Sequence, residues 1–127
     1  MGKLFGAQLI AVLIAAVVFR LGLDPRIAGL IAGTSFILVG LLGAVWAWRI
    51  WPVWGLSMVH LLGVAIPMLV FRALNWSEPF SKIAVWGLSG PDFHTLSTRL
   101  YGVWMASVAI AWWVLRREGK GIEKKEQ

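Results

Sequence analysis

The sequence has no cysteine and few charged residues. Of its 127 residues, 14% are charged and 59% are hydrophobic. The lack of cysteine excludes disulfides, thiolate nucleophiles and cysteine-based metal sites. So few charges cannot cover the surface of a water-soluble domain of this size, which excludes a soluble enzyme, a disordered tail and a free nucleic-acid-binding protein. The composition therefore predicts a protein whose solvent is lipid.

Acidic residues are the scarcer charge. Six Asp and Glu stand against 12 Lys and Arg, which gives a formal net charge of +6. In a soluble protein this excess would suggest nucleic-acid binding. Here the basic residues lie in short runs beside long apolar segments, a distribution that orients a membrane protein and attracts anionic headgroups. We therefore expect the lipid bilayer, and no nucleic acid, as a partner.

Four apolar segments are long enough to cross a bilayer, because a transmembrane helix needs roughly 20 mainly apolar residues. The connections after the first two segments are short, and Asp24 with Pro25 forms a turn and helix cap, so neighbouring helices are antiparallel. The sequence predicts an all-α polytopic integral membrane protein, a four-transmembrane-helix bundle within residues 1–115. The expected spans cover residues 4–23, 27–48, 53–71 and 96–115.

One long connection, residues 72–95, joins the third and fourth spans. Ser77, Glu78 and Pro79 form a helix-start signal, and the apolar run that follows is too short to cross the membrane. We expect a short interfacial helix there, followed by Asp92 as the cap of the fourth helix. Residues 116–127 are predicted to form a charged, solvated tail.

Basic residues are more numerous on the side that holds both termini. This bias predicts cytoplasmic termini for a multi-pass protein of a bacterial inner (plasma) membrane. The cations on the cytoplasmic side are Lys3, Arg49, Arg116, Arg117, Lys120, Lys124 and Lys125. Those on the outer side are Arg20, Arg26, Arg72, Lys82 and Arg99.

Small residues form a stripe along the second span, and alanines form a narrower stripe along the first. In lipid, small residues let two backbones approach closely and gain dispersion contacts. We expect the two stripes to pack together, with Gln8 bonded to Thr34, Ser35 or a backbone carbonyl. Ordinary packing within the chain and docking of a partner both remain open. The predicted packing residues are Gln8, Gly29, Gly33, Gly40 and Gly43.

His60 is the most informative polar residue within the spans. None of the spans contains Asp or Glu, which argues against a proton-driven exporter because a mid-membrane carboxylate usually carries the coupled proton. His60 shares a helix face with Ser57 and Pro67, and Pro67 leaves the carbonyl of Gly63 without its intrahelical donor. The sequence thus predicts a polar notch that either a neighbouring helix or a ligand satisfies.

A second polar group lies in the outer loop and at the start of the fourth span. Arg72 and Arg99 close off two spans, so we expect them to be neighbours able to hold a phosphate or carboxylate bidentately. Anchoring at the interface, lipid or anion binding, and catalysis by His94 as a general base are the alternatives. The candidate ligand-binding residues of notch and loop are Ser57, His60, Arg72, Glu78, Asp92, His94, Arg99 and Tyr101.

Neither a cofactor nor a metal is expected, and no residue is predicted to be catalytic. Two histidines can clamp a haem iron, but counting along the helices separates His60 and His94 by roughly 20 Å in depth. We expect a non-enzymatic accessory or assembly subunit of a larger membrane complex, or a homo-oligomer. The alternatives are a lipid or small-molecule binder or transporter that uses both polar groups, and an enzyme at the membrane interface.

Overall fold

The computed structural model consists of long helices and one small hairpin. It describes the backbone of residues 1–126 and the side chains of residues 1–79 and 81–118. The expected charged tail, residues 116–127, therefore lies largely outside the described side chains. The helical elements are, in order, α1 (Gly2–Arg20), α2 (Pro25–Trp46), α3 (Trp51–His60), a π-helical segment (Leu61–Ala65), α4 (Ile66–Leu74) and α5 (Gly90–Glu126).

Within the described residues, four helices are long and apolar enough to span a membrane, as the sequence predicted. α3, the π-helical segment and α4 are continuous, and we call them together the third long helix. The four helices are α1, α2, the third long helix and the first 29 residues of α5. The ends differ from those expected. The third long helix runs to Leu74, and α5 begins at Gly90, six residues before the predicted fourth span.

The turn between α1 and α2 forms as predicted. Asp24 is the N-cap of α2, and its Oδ1 accepts a hydrogen bond from the backbone N–H of Arg26 at 2.9 Å. Pro25 occupies the first turn, where its missing N–H has no cost. Gly22 has a φ of +72°, a left-handed conformation that glycine adopts without a steric penalty. The chain therefore reverses direction within a few residues.

The connection after α4 contains a hairpin in place of the expected interfacial helix. A 3-10 turn spans Phe80–Lys82, and β1 (Ala84–Val85) pairs antiparallel with β2 (Leu88–Ser89). Trp86 and Gly87 form the two-residue turn, with φ values of 55° and 80°. Positive φ at both central residues is the signature of a type I′ turn, whose twist matches that of the strands.

The hairpin follows from the spacing of its apolar residues. Ile83 and Val85 are buried and Ala84 between them is exposed, which is the alternation of a half-buried strand. The short interfacial helix expected here would be unstable unless tertiary packing supported it. Ser89, and not Asp92, caps α5, because its hydroxyl oxygen accepts the N–H of Asp92 at 3.3 Å. The predicted Asp92 cap is therefore wrong, and its side chain is exposed.

Two apolar clusters form the core. Met1, Ile50 and Ala111 pack against the main cluster, so the start of α1, the α2–α3 turn and this part of α5 share one end of the bundle, the terminal end. The opposite end, the loop end, holds the α1–α2 turn and the connection after α4. The main cluster comprises Leu4, Ala11, Val39, Ala47, Val53, Tyr101, Trp104 and Val108. The second comprises Ile83, Val85 and Phe93.

Three glycines of the α2 stripe pack against the third long helix, and α1 also packs along α2. A Cβ added at Gly33 would lie 3.2 Å from Leu69 Cδ1, and one at Gly40 would lie 3.0 Å from Leu61 Cδ1. At Gly43 it would lie 2.5 Å from Ser57 Oγ. These three glycines therefore serve close approach inside the chain.

Gly43→Ala is expected to destabilise the fold, whereas Gly29→Ala is not. A methyl at Gly43 meets Ser57 and Trp104, and overpacking of this kind costs about 1 to 3 kcal/mol. A Cβ at Gly29 meets nothing within 4 Å, so alanine there keeps only its helix-propensity advantage. The free energy of unfolding in mixed micelles, followed by far-UV circular dichroism, measures both. Equal stability of the two variants would contradict the packing described for Gly43.

Candidate functional site

His60 lies inside the bundle and hydrogen-bonds to another helix. Its Nε2 is 3.0 Å from the carbonyl oxygen of Phe36 in α2, and since a carbonyl only accepts, Nε2 is the donor. The imidazole stacks on Trp104, with ring centroids 4.7 Å apart and planes inclined by 22°. Tyr101 approaches it edge-on at 5.3 Å. Of the two alternatives for His60, the structure shows the bond to a neighbouring helix.

Two further hydrogen bonds join α5 to its neighbours at this depth. Trp104 Nε1 donates to Ser57 Oγ at 2.8 Å, and that hydroxyl donates to the carbonyl of Val53 at 2.8 Å. The hydroxyl of Tyr101 donates to the backbone carbonyl of Gln8 at 2.7 Å. The side chains of Ser57, Tyr101 and Trp104 are buried, as is that of His60. We call His60, Ser57, Tyr101 and Trp104 the polar layer.

Three buried polar atoms beside these bonds have no partner among the described residues. They are Nδ1 of His60 and both side-chain amide atoms of Gln8. The bond expected from Gln8 to Thr34, Ser35 or a backbone carbonyl is not formed, since neither of its side-chain amide atoms has a partner. The hydroxyls of Thr34 and Ser35 donate to carbonyls of their own helix at 2.7 and 3.1 Å. The interior therefore retains unused hydrogen-bonding capacity at Gln8 and His60.

The carbonyl of Gly63, predicted to lose its donor to Pro67, is satisfied by the hairpin. Trp86 Nε1 donates to it at 2.9 Å. The indole is 66% exposed, yet its residue holds a left-handed φ of 55° that is unfavourable for a bulky side chain. The hydrogen bond and the ring of Phe71, 6.4 Å away, offset this strain. The sequence indicates the free carbonyl but gives no signal for a donor 23 residues further along.

The outer arginines are not brought together. Arg72 Nη1 donates to the backbone carbonyl of Glu78 at 3.0 Å. Counting from the contact of His60 with Tyr101 separates Arg72 and Arg99 by roughly 15 Å along the bundle. The predicted bidentate clamp is therefore not assembled. Among the described side chains, Glu78 and Asp92 take part in no salt bridge, and both are exposed.

His94 is exposed and lies nearer in depth to His60 than expected. It precedes Tyr101 by seven residues, so the two histidines differ by roughly 10 Å and not 20 Å. The difference in depth is smaller than expected because α5 extends past α1 at the terminal end, where Trp112 lies against Gly2 and Phe5. Within the residues that the structure describes, no three His, Asp or Glu side chains form a group able to hold a metal ion.

The comparisons with known proteins give no assignment for this site. No protein-family model matches the chain, and no curated protein or solved structure is significantly similar to it. Two shallow, open hollows occur on the surface of the described part of the bundle. One is lined by Ile10, Leu13, Ile14, Val17 and Val18, and the other by Leu30, Ile31, Thr34 and Ser35. The chemistry of the site must therefore come from its own residues.

Ser57→Ala is expected to lower the free energy of unfolding by about 1 kcal/mol or more, because it leaves the buried Trp104 N–H without an acceptor. Ser107→Ala is the matched control. Its hydroxyl donates only to the carbonyl of Trp104 in its own helix. Its removal is therefore expected to lower the free energy of unfolding by only about a few tenths of a kcal/mol. A chemical-denaturant titration in detergent measures both variants. A Ser107 variant as unstable as the Ser57 variant would contradict the interhelical role of Ser57.

Trp86→Phe is expected to destabilise the protein only while Pro67 is present. In the wild-type background the change orphans the Gly63 carbonyl at a cost of about 1 kcal/mol. In a Pro67→Ala background the restored N–H of residue 67 can donate to that carbonyl, so the same change is expected to be nearly neutral. A double-mutant cycle of unfolding free energies tests this coupling, and equal costs in both backgrounds would disprove it.

Proposed function

We propose that this protein is inserted in a bacterial inner (plasma) membrane, with both termini cytoplasmic, and is a non-catalytic accessory or assembly subunit of a larger membrane complex. Support for insertion comes from the apolar side chains on the outside of the bundle. Leu13, Val45 and Ile110, on three different helices, are 62%, 66% and 63% exposed. Exposed apolar surface on every side suits a lipid solvent and no aqueous one.

The tryptophans at the terminal end support the same orientation. Trp48, Trp51 and Trp113 are 64%, 77% and 61% exposed. The guanidinium carbon of Arg49 lies 5.0 Å from the ring centroid of Trp48, and that of Arg117 lies 5.4 Å from Trp113. Exposed indoles beside cations are typical of residues at headgroup level, and the excess of basic residues at this end favours the cytoplasmic leaflet.

The main support for the accessory role is that the buried polar residues join helices to one another. Every member of the polar layer makes a hydrogen bond or ring contact to another helix. These groups hold the bundle together, which is the role expected of a scaffold. The sequence-based alternative of a ligand site needs His60 to face a cavity and Arg72 to lie beside Arg99, and the described geometry favours neither.

A partner helix has a suitable surface on the outside of α2. Three stripe glycines are covered by the third long helix, so the partner must use another face. The surface hollow lined by Leu30, Ile31, Thr34 and Ser35 lies in the first half of α2. Small hydroxyl residues at such a position permit close approach of a second helix in lipid. We place the contact with the larger complex at this hollow.

A photo-crosslinking residue at Ile31 is expected to form an adduct of one defined mass with another membrane protein of the host, whereas one at Ile110 is not. Both positions are exposed, at 41% and 63%. The adduct is expected to fall at least tenfold when Thr34→Leu and Ser35→Leu fill the hollow, with unfolding stability unchanged. Adducts of equal yield at both positions, or a dimer of this chain alone, would contradict the accessory role.

A further inference from the structure

The first turns of α5 differ from the outer faces of the other long helices because they are polar. Asp92, Thr95 and Arg99 are exposed, and at 100° per residue they fall within about 60° of one another. We call these three residues the polar flank. The same face continues toward the terminal end with apolar side chains, Val103, Ala106 and Ile110, which are also exposed.

The innermost residue of the polar flank, Arg99, lies on the outside of the bundle but well below its loop end. Tyr101 bonds to Gln8 and contacts His60, which fixes the level of α5 against α1 and the third long helix. Counting from these contacts places Arg99 roughly 15 to 18 Å short of the loop-end termini of those two helices. Asp92 lies roughly 10 Å nearer that end. Arg99 is therefore level with apolar, exposed residues of α1.

A charged residue at that depth needs a polar neighbour. In a membrane an arginine facing acyl chains is costly, although its side chain can extend toward the interface. The side chain of Arg99 is exposed in the described structure, so this chain does not bury it. An occupant from outside the chain can supply the opposite charge at that depth.

The order of charges on the face identifies that occupant. From the loop end inward the face has a carboxylate, then a guanidinium, then an apolar strip. A zwitterionic phospholipid has the complementary order, with its ammonium outermost, its phosphate beneath and its acyl chains below. A second copy in the same orientation, related by a twofold axis parallel to the bundle, would instead set Arg99 against Arg99 and Asp92 against Asp92, which is repulsive.

We propose that the polar flank binds the headgroup of a zwitterionic phospholipid, phosphatidylethanolamine, with Arg99 on the phosphate and Asp92 on the ammonium. The guanidinium fork matches two phosphate oxygens. The acyl chains then lie along Val103, Ala106 and Ile110, and the headgroup sits below the surrounding lipid surface. This inference rests on the proposed membrane insertion, but the site is separate from the α2 hollow and so does not depend on the accessory role.

Native mass spectrometry of the full chain tests the site by titrating phosphatidylethanolamine and phosphatidylglycerol with matched acyl chains. We expect one bound phosphatidylethanolamine, weakened about tenfold by Arg99→Gln. Asp92→Asn is expected to abolish the preference over phosphatidylglycerol, which has the same phosphate and no ammonium. Arg20→Gln, which removes an exposed arginine at the end of α1, is the matched control and is expected to change nothing.

A second measurement uses the unaltered protein and does not depend on the folding of variants. A photoreactive phosphatidylethanolamine is expected to label the α5 peptide that contains residues 92–99. Labelling confined to other helices would overturn the proposal. So would equal retention of both lipids by the wild type, which indicates a site for phosphate alone, or efficient disulfide dimers of Thr95→Cys, which indicate a second copy on the flank.

Discussion

The close approach of α2 to the third long helix at Gly40 and Gly43 is the constraint on which the rest of the bundle depends. A Cβ at Gly40 would lie 3.3 Å from the His60 ring, and one at Gly43 would press on Ser57 and Trp104. The missing side chains are what let His60 reach the Phe36 carbonyl and Trp104 reach Ser57. In lipid, where burying leucine gains little, such contacts supply much of the helix association.

The same logic governs the backbone of the third long helix. Pro67 creates a local deficit, a carbonyl at Gly63 without its intrahelical donor, and the hairpin supplies the donor through Trp86. The connection between α4 and α5 is therefore part of the bundle's hydrogen bonding as well as a link. This explains why it folds back as strands, with Ile83 and Val85 buried against Phe93, instead of lying apart as a helix. A strained residue such as Trp86 persists only where neighbouring contacts fix it.

The elements that local sequence determines could be predicted, and those set by contacts distant in sequence could not. Apolar length defines the four helices, and the Asp24 cap depends on residues two apart. The partner of the glycine stripe depends on which helix fits best in three dimensions. The relative depth of Arg72 and Arg99 depends on the contact of His60 with Tyr101, which lie far apart in the sequence. Span boundaries drawn from hydropathy alone placed both arginines at one surface, and the contact shows why they are separated.

The depth of Arg99 follows from the packing of the polar layer. Sliding α5 outward by one turn would bring Arg99 nearer the interface but would break two interhelical hydrogen bonds and the stack of His60 on Trp104. In lipid such bonds are worth about 0.6 to 2 kcal/mol each, and an aromatic contact adds about 1. An arginine at the bilayer centre costs about 3 kcal/mol on insertion scales. The energy of these interhelical contacts and the cost of placing Arg99 at this depth are nearly equal. A bound counter-charge at Arg99 therefore stabilises the position of α5 that the core requires. Core packing and the proposed lipid site are thus two consequences of one helix position.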